Sequence, residues 1–480
     1  RRGAVSEFTA PCGPHGFRIV APARNFPVMP RRALVLLALA LALPLACASK
    51  PPRVRRVRIV HTNDLHGHVE RAAAIAAVAA EERERHPATL LLDAGDCISG
   101  TPLSTVFQGR PIFEIMGAMG YDAVALGNHE FDHGWQLIAE YREIAEFPLL
   151  CANARDPEGR PLGDAPYVVL EAGGLRVGVL GLVTEHVPTL TTRKASAGCA
   201  FDSPIETARR LVPEMRRECD VVVLLTHLGV QADAALAGAV PGVDLIVGGH
   251  THTELKAPLD VAGTRIVQAK CYGERVGIVE LAFDTEERRV TELTYRMVAI
   301  DAEAMPNEPR VAEIVRTWES QVDERVAAVI GRTERRLGKK QLRGRIEHIY
   351  RELLGTDFGY QNSGGIRADV EAGDIRIRDV WTVLPFDNTL VRITLRGAQL
   401  PKFARDSLGA RFEPDAEYTV ATDSKVADQM EKYFGVKDAP VTDTGLLMRD
   451  EVVNWVREHA GFEAGAGGAE ERQPDPGESR

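Results

Sequence analysis

Short apolar runs, each closed by a polar residue or glycine, recur through the first half of the chain: Val57 to Val60, Thr89 to Leu92, Ala123 to Leu126, Val221 to Leu225 and Val243 to Val247. Runs of this length bounded by Gly or Asn read as buried strands. A strand pair around Thr264 to Gln268 and Gly277 to Phe283 closes this region near Ala302. The period then changes. Val311, Ile314, Val315, Trp318, Val322 and Val326 recur at helical spacing and predict an amphipathic connecting helix. The length favours two domains, read as 50–302 and 331–462 with a linker helix over 303–330 between them. The last stretch, 463–480, is rich in Gly, Glu and Pro and reads as disordered.

The residues just after each strand carry the chemistry. The five runs lead into Asp64 and His66, Asp96, Asn128 and His129, His227, and His250 and His252. In an open α/β sheet, loops at the carboxyl ends of parallel strands converge on one crevice, so donors far apart in sequence can meet there. Carboxylate, imidazole and amide are hard or borderline donors, which suits two divalent ions of Zn, Mn, Co or Fe rather than a Cys-rich structural site. Two such ions can hold a phosphoryl oxygen and activate a shared water, so phosphate ester hydrolysis is the natural reaction. Taken singly, Asp64, Asn128 or His227 could cap a helix or close a turn. A donor after every strand of one region is not explained that way.

Composition narrows the partners. The chain is 45% hydrophobic and 26% charged, with a formal net charge of −10. Without residues 1–47, which hold six Arg and one Glu, 52 basic residues face 67 acidic ones, or −15. That balance argues against nucleic acid polymers and anionic membranes as partners. Setting aside Cys12 and Cys47 leaves Cys97, Cys151, Cys199, Cys219 and Cys271, an odd number without paired spacing and hence no disulfide framework. Cys97, beside Asp96, reads as a small buried hydrophobe.

Residues 1–28 begin with Arg and lack a periodic apolar pattern, and read as a mistranslated upstream segment with Met29 as the start. From there Arg31 and Arg32 precede an apolar run from Ala33 to Leu45, the layout of a signal peptide over 29–48. Cys47 offers a lipidation point, and Ala46-Cys47-Ala48 also satisfies the small-x-small rule for release of a soluble protein. Both outcomes predict export, to the periplasm or to a membrane as a lipoprotein.

The succession Asp-x-His, Gly-Asp, Gly-Asn-His-Glu, Thr-His and Gly-Gly-His-x-His, from Asp64 to His252, resembles the calcineurin-like metallophosphoesterases. The wording around it resembles the bacterial 5'-nucleotidase and UDP-sugar hydrolase family from about Arg58 to Arg449. The resemblance implies an α/β fold, with an N-terminal β-sandwich flanked by helices and a C-terminal α/β substrate domain. It implies that Asp64, His66, Asp96 and His252 hold one ion and Asp96, Asn128, His227 and His250 the other, with Asp96 shared. It further implies that His129 faces the substrate and stabilises charge on the transferring phosphoryl group. Asp132, three residues on, then orients that imidazole and favours its protonated form. Glu130 and His133 read as packing or solvent-facing, and His68 as lying behind the ligands.

In the second domain, Gln361 to Arg367 contains a Gly pair where backbone can approach a ligand, and Arg367 can clamp a phosphate or ribose oxygen. The resemblance places Asn362, Arg367 and Phe386 in the substrate pocket, with Phe386 as one side of a base-stacking clamp; core packing is an equal reading of Phe386. Two stretches depart from the family. Leu342-Arg343-Gly344-Arg345-Ile346 replaces a Gly-Asn-Leu segment, and Lys425 falls where the second clamp aromatic is expected. A ring contributes roughly 1–3 kcal/mol of stacking, so base selectivity weakens unless Tyr433 or Phe434 takes that place.

The function expected is an exported hydrolase of nucleoside 5'-monophosphates or related small phosphate esters, working by attack of a metal-bridging hydroxide. UDP-sugar pyrophosphohydrolase, 2',3'-cyclic phosphodiesterase and thiosulfohydrolase are the rival activities. A surface ligand-binding protein that has lost turnover is the non-enzymatic rival.

Overall fold

The structure, a computed structural model, describes residues 52–462 apart from 193 and 409–411. The upstream segment 1–28, the signal peptide 29–48 with Cys47, and the tail 463–480 lie outside the described residues.

Two six-stranded sheets face each other in the first part of the chain. The first uses β1 (Val54–Thr62), β2 (Thr89–Asp93), β3 (Ala123–Ala125) and β4 (Leu149–Leu150) in parallel. The second contains β5 (Tyr167–Ala172), β6 (Leu175–Val183), β7 (Val221–His227), β8 (Leu245–Gly248), β9 (Leu259–Val261) and β10 (Thr264–Val267), in the order β9-β10-β8-β7-β6-β5. There β6, β7, β8 and β10 run parallel. The antiparallel strands β11 (Arg275–Asp284) and β12 (Arg289–Ala299) return to the first sheet beside β1.

The strand period explains why the apolar runs are unbroken. Along β7, Val221, Val223 and Leu225 face the opposite sheet, packed with Ile59, Leu90, Val247 and Leu281. Val222 and Leu224 face the other way, onto Leu211, Met215 and Leu236 of helices Pro204–Glu218 and Val230–Ala239. A strand covered on both faces has no polar side to show.

The strands expected to form a pair before Ala302 do not pair. Strand β10 bonds to β8 and β9, whereas β11 bonds to β1 and β12. Residues 268–274 cross from one sheet to the other, because each strand is buried by a different layer. That crossing passes the end of β1, where Tyr272 N–H donates to the Asp64 carbonyl at 2.8 Å.

A helix covers Pro309–Val326, with Pro309 at its first turn and Glu308 accepting from Val311 N–H at 2.7 Å. Val311, Val322 and Val326 are buried, and Ile314, Val315 and Trp318 pack beside them on the core of the first sheet. Further on, Phe358–Gly359, Glu417–Asp423, Thr389–Arg396 and Val441–Leu447 form a four-stranded sheet in that order. Helices Lys339–Leu354 and Met448–His459 enclose a separate core of Leu342, Ile346, Tyr350, Val452 and Val456. The fold is mixed α/β. No helix among the described residues is long and apolar enough to cross a membrane.

The second unit touches the first at the strand ends. Thr105 Oγ1 donates to the Pro385 carbonyl at 3.0 Å, and His133 Nδ1 meets Asp387 Oδ2 at 3.0 Å. Lys425 and Gln429 donate to the carbonyls of Leu190 and Thr189.

Candidate metal centre and substrate cleft

The loops after β1, β2, β3, β7 and β8 meet at one end of the sandwich, bringing donors from both sheets together. Asp64, His66 and His252 each offer an atom within 4.8 Å of the others, as do Asp96, His227 and His250. His66, Asp96 and His129 form a third such group, so proximity alone also offers His129 as a donor. Among these, His227 Nε2 is 2.9 Å from Asp96 Oδ2, and His252 Nε2 is 3.5 Å from Asp64 Oδ1.

The backbone is strained to achieve this. Asp64, His66, Asp96, His250 and His252 all have positive φ, between 50° and 78°. Such residues cost about 1–3 kcal/mol each and persist where the surroundings impose them. Here the loops brace one another: His66 N–H donates to the Asp96 carbonyl at 2.9 Å, and His250 N–H to Asp64 Oδ1 at 3.0 Å.

The donor atoms fit divalent cations. His66 Nδ1 lies 2.9 Å from the Ser99 carbonyl and His227 Nδ1 lies 2.9 Å from the Ala94 carbonyl. A carbonyl accepts only, so each ring carries a proton on Nδ1 and turns Nε2 toward the cluster, the atom an ion would take. The His66 and His252 Nε2 atoms are 3.0 Å apart. Adjacent ligands on an ion with bonds of about 2.1 Å have about that spacing. Asn128 Oδ1 is buried and accepts no hydrogen bond.

Electrostatics agree. Burial pushes the Asp64 carboxyl up to about 7, with the Asp96 charge contributing and His227 opposing. Burial opposes protonation of His227, yet the Asp96 and Asp64 carboxylates outweigh it and take the ring up to about 10. The cluster therefore draws positive charge to its centre. Burial takes His250 and His252 down to about 4, helped by the His227 charge at His250 and by the Arg367 guanidinium at His252, leaving neutral rings suited to ligation.

His129 stands at the edge of the cluster. Its Nδ1 is 2.6 Å from Asp132 Oδ2, and its N–H donates to Asp96 Oδ1 at 2.8 Å. From the second unit, the Phe386 ring stacks on it with centroids 5.7 Å apart, and the Arg367 guanidinium lies 5.8 Å from the Phe386 ring centre. Arg367 makes no ion pair among the described residues. The Asn362 amide is shared between Gln361 Nε2 at 2.9 Å and the Tyr433 hydroxyl at 3.4 Å. Phe434 is buried against Tyr360 and is not available to a ligand. Tyr433 is half-buried, and Lys425 is engaged with the Leu190 carbonyl.

Two residues read as packing or solvent-facing have more definite places. Glu130 is fully buried, and its carboxylate accepts from Gly127 N–H at 2.6 Å, Cys97 N–H at 2.8 Å and Asp96 N–H at 3.1 Å. It is not solvent-facing: it ties the Asp96 loop to the Asn128 loop. The His133 side chain is 2% exposed and pairs with Asp387, which also takes Arg449 Nη2 at 2.6 Å. His68 packs on Tyr272, centroids 4.4 Å apart. Tyr272 itself carried no motif, and only its place in a short polar link between two strands marked it in the sequence.

A family model described as calcineurin-like phosphoesterase matches residues 57–254, and one described as 5'-nucleotidase, C-terminal domain, matches residues 320–415. The chain is 30% identical over 431 residues to the trifunctional nucleotide phosphoesterase protein YfkN of Bacillus subtilis, covering 76% of this chain and 29% of that protein, so it spans under a third of that relative. It is 28% identical over 446 residues to a 5'-nucleotidase of Vibrio vulnificus, covering 78% and 81% of the two chains. Among solved structures, a 5'-nucleotidase precursor from Thermus thermophilus is similar with a TM-score of 0.74 and 26% identity, over 86% of this chain and 98% of that one. With both domain models matched in order along one chain and His/Asp clusters able to hold metal at their junction, the chain belongs to the metal-dependent phosphoesterases that join a calcineurin-like domain to a 5'-nucleotidase C-terminal domain.

Proposed function

We propose that the chain hydrolyses nucleoside 5'-monophosphates or related small phosphate esters at this cleft, with residues 50–302 supplying the metal centre and 331–462 the substrate side. The observation that carries the reading is the Arg367 guanidinium, which has no ion-pair partner among the described residues and is brought from the second unit to the edge of the His66, His129 and His252 cluster beside Phe386.

In this reading Asp64, His66, Asp96 and His252 hold one divalent ion, and Asp96, Asn128, His227 and His250 the other; Zn, Mn, Co and Fe all suit these donors. Bound there, the ions supply Lewis-acid stabilisation of phosphoryl oxygens and an acidified water as nucleophile. Ser99 and Ala94 hold the His66 and His227 rings so that Nε2 faces the cluster. Asp132 keeps the His129 imidazolium in place to offset charge gathering on the phosphoryl oxygens. Arg367 binds a phosphate oxygen, and Phe386 lies against whatever the phosphate carries.

Phe386 alone, with Lys425 turned to Leu190, makes a weaker base clamp than two rings unless Tyr433 swings in. UDP-sugar, cyclic nucleotide and thiosulfate-ester cleavage therefore stay in the comparison. The test is phosphate release from UMP, AMP, UDP-glucose, a 2',3'-cyclic nucleotide and an aryl phosphate with Mn, Zn or Co, for wild type and His129→Ala. Nucleotide preference lost in the variant supports the reading, aryl phosphate turnover without preference removes the substrate, and no release from any ester removes the function. Export, to the periplasm or as a Cys47 lipoprotein, belongs to the same proposal and is tested by the mass and fractionation of the mature chain.

A further inference from the structure

The crossing between β10 and β11 places one aromatic residue against the cluster. Tyr272 sits at φ +59°, a left-handed conformation that bulky side chains seldom adopt, and Gly273 follows at +64°. Its N–H donates to the Asp64 carbonyl at 2.8 Å, and a Cβ on Gly273 would come within 2.9 Å of Ile75. Strain of this kind persists only where the surroundings fix it. What it achieves is visible in the side chain. The ring meets His66 and His252 edge to face, centroids 5.7 and 5.6 Å away, and lies against His68. Its hydroxyl accepts from Arg367 Nη2 at 3.4 Å.

Arg367 is thus steadied between a phenol and the Phe386 ring, with no carboxylate paired to it among the described residues. That difference matters chemically. A carboxylate partner would orient a guanidinium and also neutralise it; a neutral hydroxyl orients it and leaves the charge for an oxyanion.

We propose that Tyr272 is a positioning residue for oxyanion binding: its strained backbone hangs the ring over His66 and His252, and its hydroxyl aims Arg367 at the phosphate group of the substrate. The inference rests on the reading of Arg367 as the phosphate clamp.

The test uses the metal-loaded full chain. KM and kcat for AMP, and the Kd of inorganic phosphate by calorimetry, are measured for wild type, Tyr272→Phe, Arg367→Gln and the double variant. Loss of one hydrogen bond predicts a rise of about 3- to 10-fold in both KM and phosphate Kd for Tyr272→Phe. Because that bond serves ground and transition states alike, kcat changes by less than about 2-fold. In the Arg367→Gln background the same change adds nothing, since the group it aims is gone. Unchanged KM and Kd in Tyr272→Phe, or equal effects in both backgrounds, overturns the proposal. Wild type that turns over no ester refutes the phosphohydrolase reading, and the phosphate Kd then decides the role of Tyr272 by itself.

Discussion

His129 Nδ1 lies 2.6 Å from Asp132 Oδ2, one turn further along the chain, while the same residue's N–H donates to Asp96 in the metal cluster at 2.8 Å. Burial works against an imidazolium here, but the Asp132 and Asp96 carboxylates outweigh it and raise the His129 pKa above its ordinary value. The two carboxylates thus favour positive charge on this ring at the mouth of the cluster. Removing it with His129→Ala is expected to lower kcat about 10²- to 10⁴-fold, the range of a positioned proton donor or charge stabiliser. Asp132→Asn keeps an acceptor but loses the charge and is expected to cost less, about 10- to 100-fold in kcat. Steady-state kinetics with metal content checked separates these effects from metal loss.

Glu130 predicts a different signature. Its buried carboxylate accepts from four backbone amides across two of the donor-bearing loops, those of Gly127, Cys97, Asp96 and, at 3.4 Å, Ile98. Glu130→Ala leaves those N–H groups unsatisfied, at about 1–3 kcal/mol for each one that water cannot reach. The Asp96 and Asn128 loops then lose their tie, and metal affinity is expected to fall about 10- to 100-fold. Chemical denaturation and a metal titration on the same variant should move together. Unchanged stability with lower affinity would place Glu130 among the ligands instead.

These two residues mark what sequence can and cannot reveal. The donors after each strand were legible because strand ends are local features, and a hard donor following an apolar run stands out in one dimension. The helix Pro309–Val326 was legible for the same reason, through its apolar face. Glu130 was not, because its partners at Gly127, Asp96 and Cys97 are backbone groups, which any residue carries. The strand pair before Ala302 misled because period and length cannot tell which sheet a strand joins; the core between the sheets decided it. Asp387 lay beside Phe386 in a recognisable motif, but its partner His133 is 254 residues away.

Metal removal should destabilise the fold. Burial, helped by the Asp96 charge, raises the Asp64 carboxyl to about 7, so without an ion the cluster holds an Asp64 carboxylate at a cost. Ions that bind the folded chain stabilise it by mass action, about 2.7 kcal/mol at 100 times Kd. Chelator is expected to lower the thermal midpoint, with Zn, Mn or Co restoring it. No shift in the midpoint, at a measured metal content that does change, would contradict binding at a folded-state site.

His61 predicts acid sensitivity away from the ligands. It is fully buried, neither ring nitrogen has a hydrogen-bond partner among the described residues, and burial takes its pKa down to about 3. A Cβ on Gly277 would lie 2.0 Å from its Nε2, so the ring fills the space that glycine leaves. In the unfolded chain the same imidazole titrates near its ordinary value of about 6.5. Between those values protons bind the unfolded state preferentially, so stability falls as pH drops from about 6.5 to 3, by up to about 5 kcal/mol, and is unaffected above. His61→Leu should flatten that part of the curve in urea titrations from pH 3 to 8. An equally steep decline in the variant would assign the acid sensitivity to other groups.

The contact between the two units has its own titration, at lower pH. Asp387 joins His133 of the first unit to Arg449 of the second, and Arg449 in turn lies over the Trp381 ring at 4.2 Å. Burial alone would raise the Asp387 carboxyl, but the hydrogen bond from His133 and the Arg449 charge prevail and hold it below its ordinary value. A depressed carboxyl stabilises the folded state above its unfolded pKa, about 3.9, and loses that contribution as pH falls through the lower folded value. Asp387→Asn is therefore expected to cost about 1–3 kcal/mol at pH 7, and the gap from wild type should narrow as pH falls below about 3.9 and through the depressed folded value. Because Phe386 precedes Asp387 and stacks on His129, the variant should also raise KM for a nucleotide more than it lowers kcat. A stability gap that does not narrow at all on acidification would show that the loss is one of packing, with the ion pair contributing nothing.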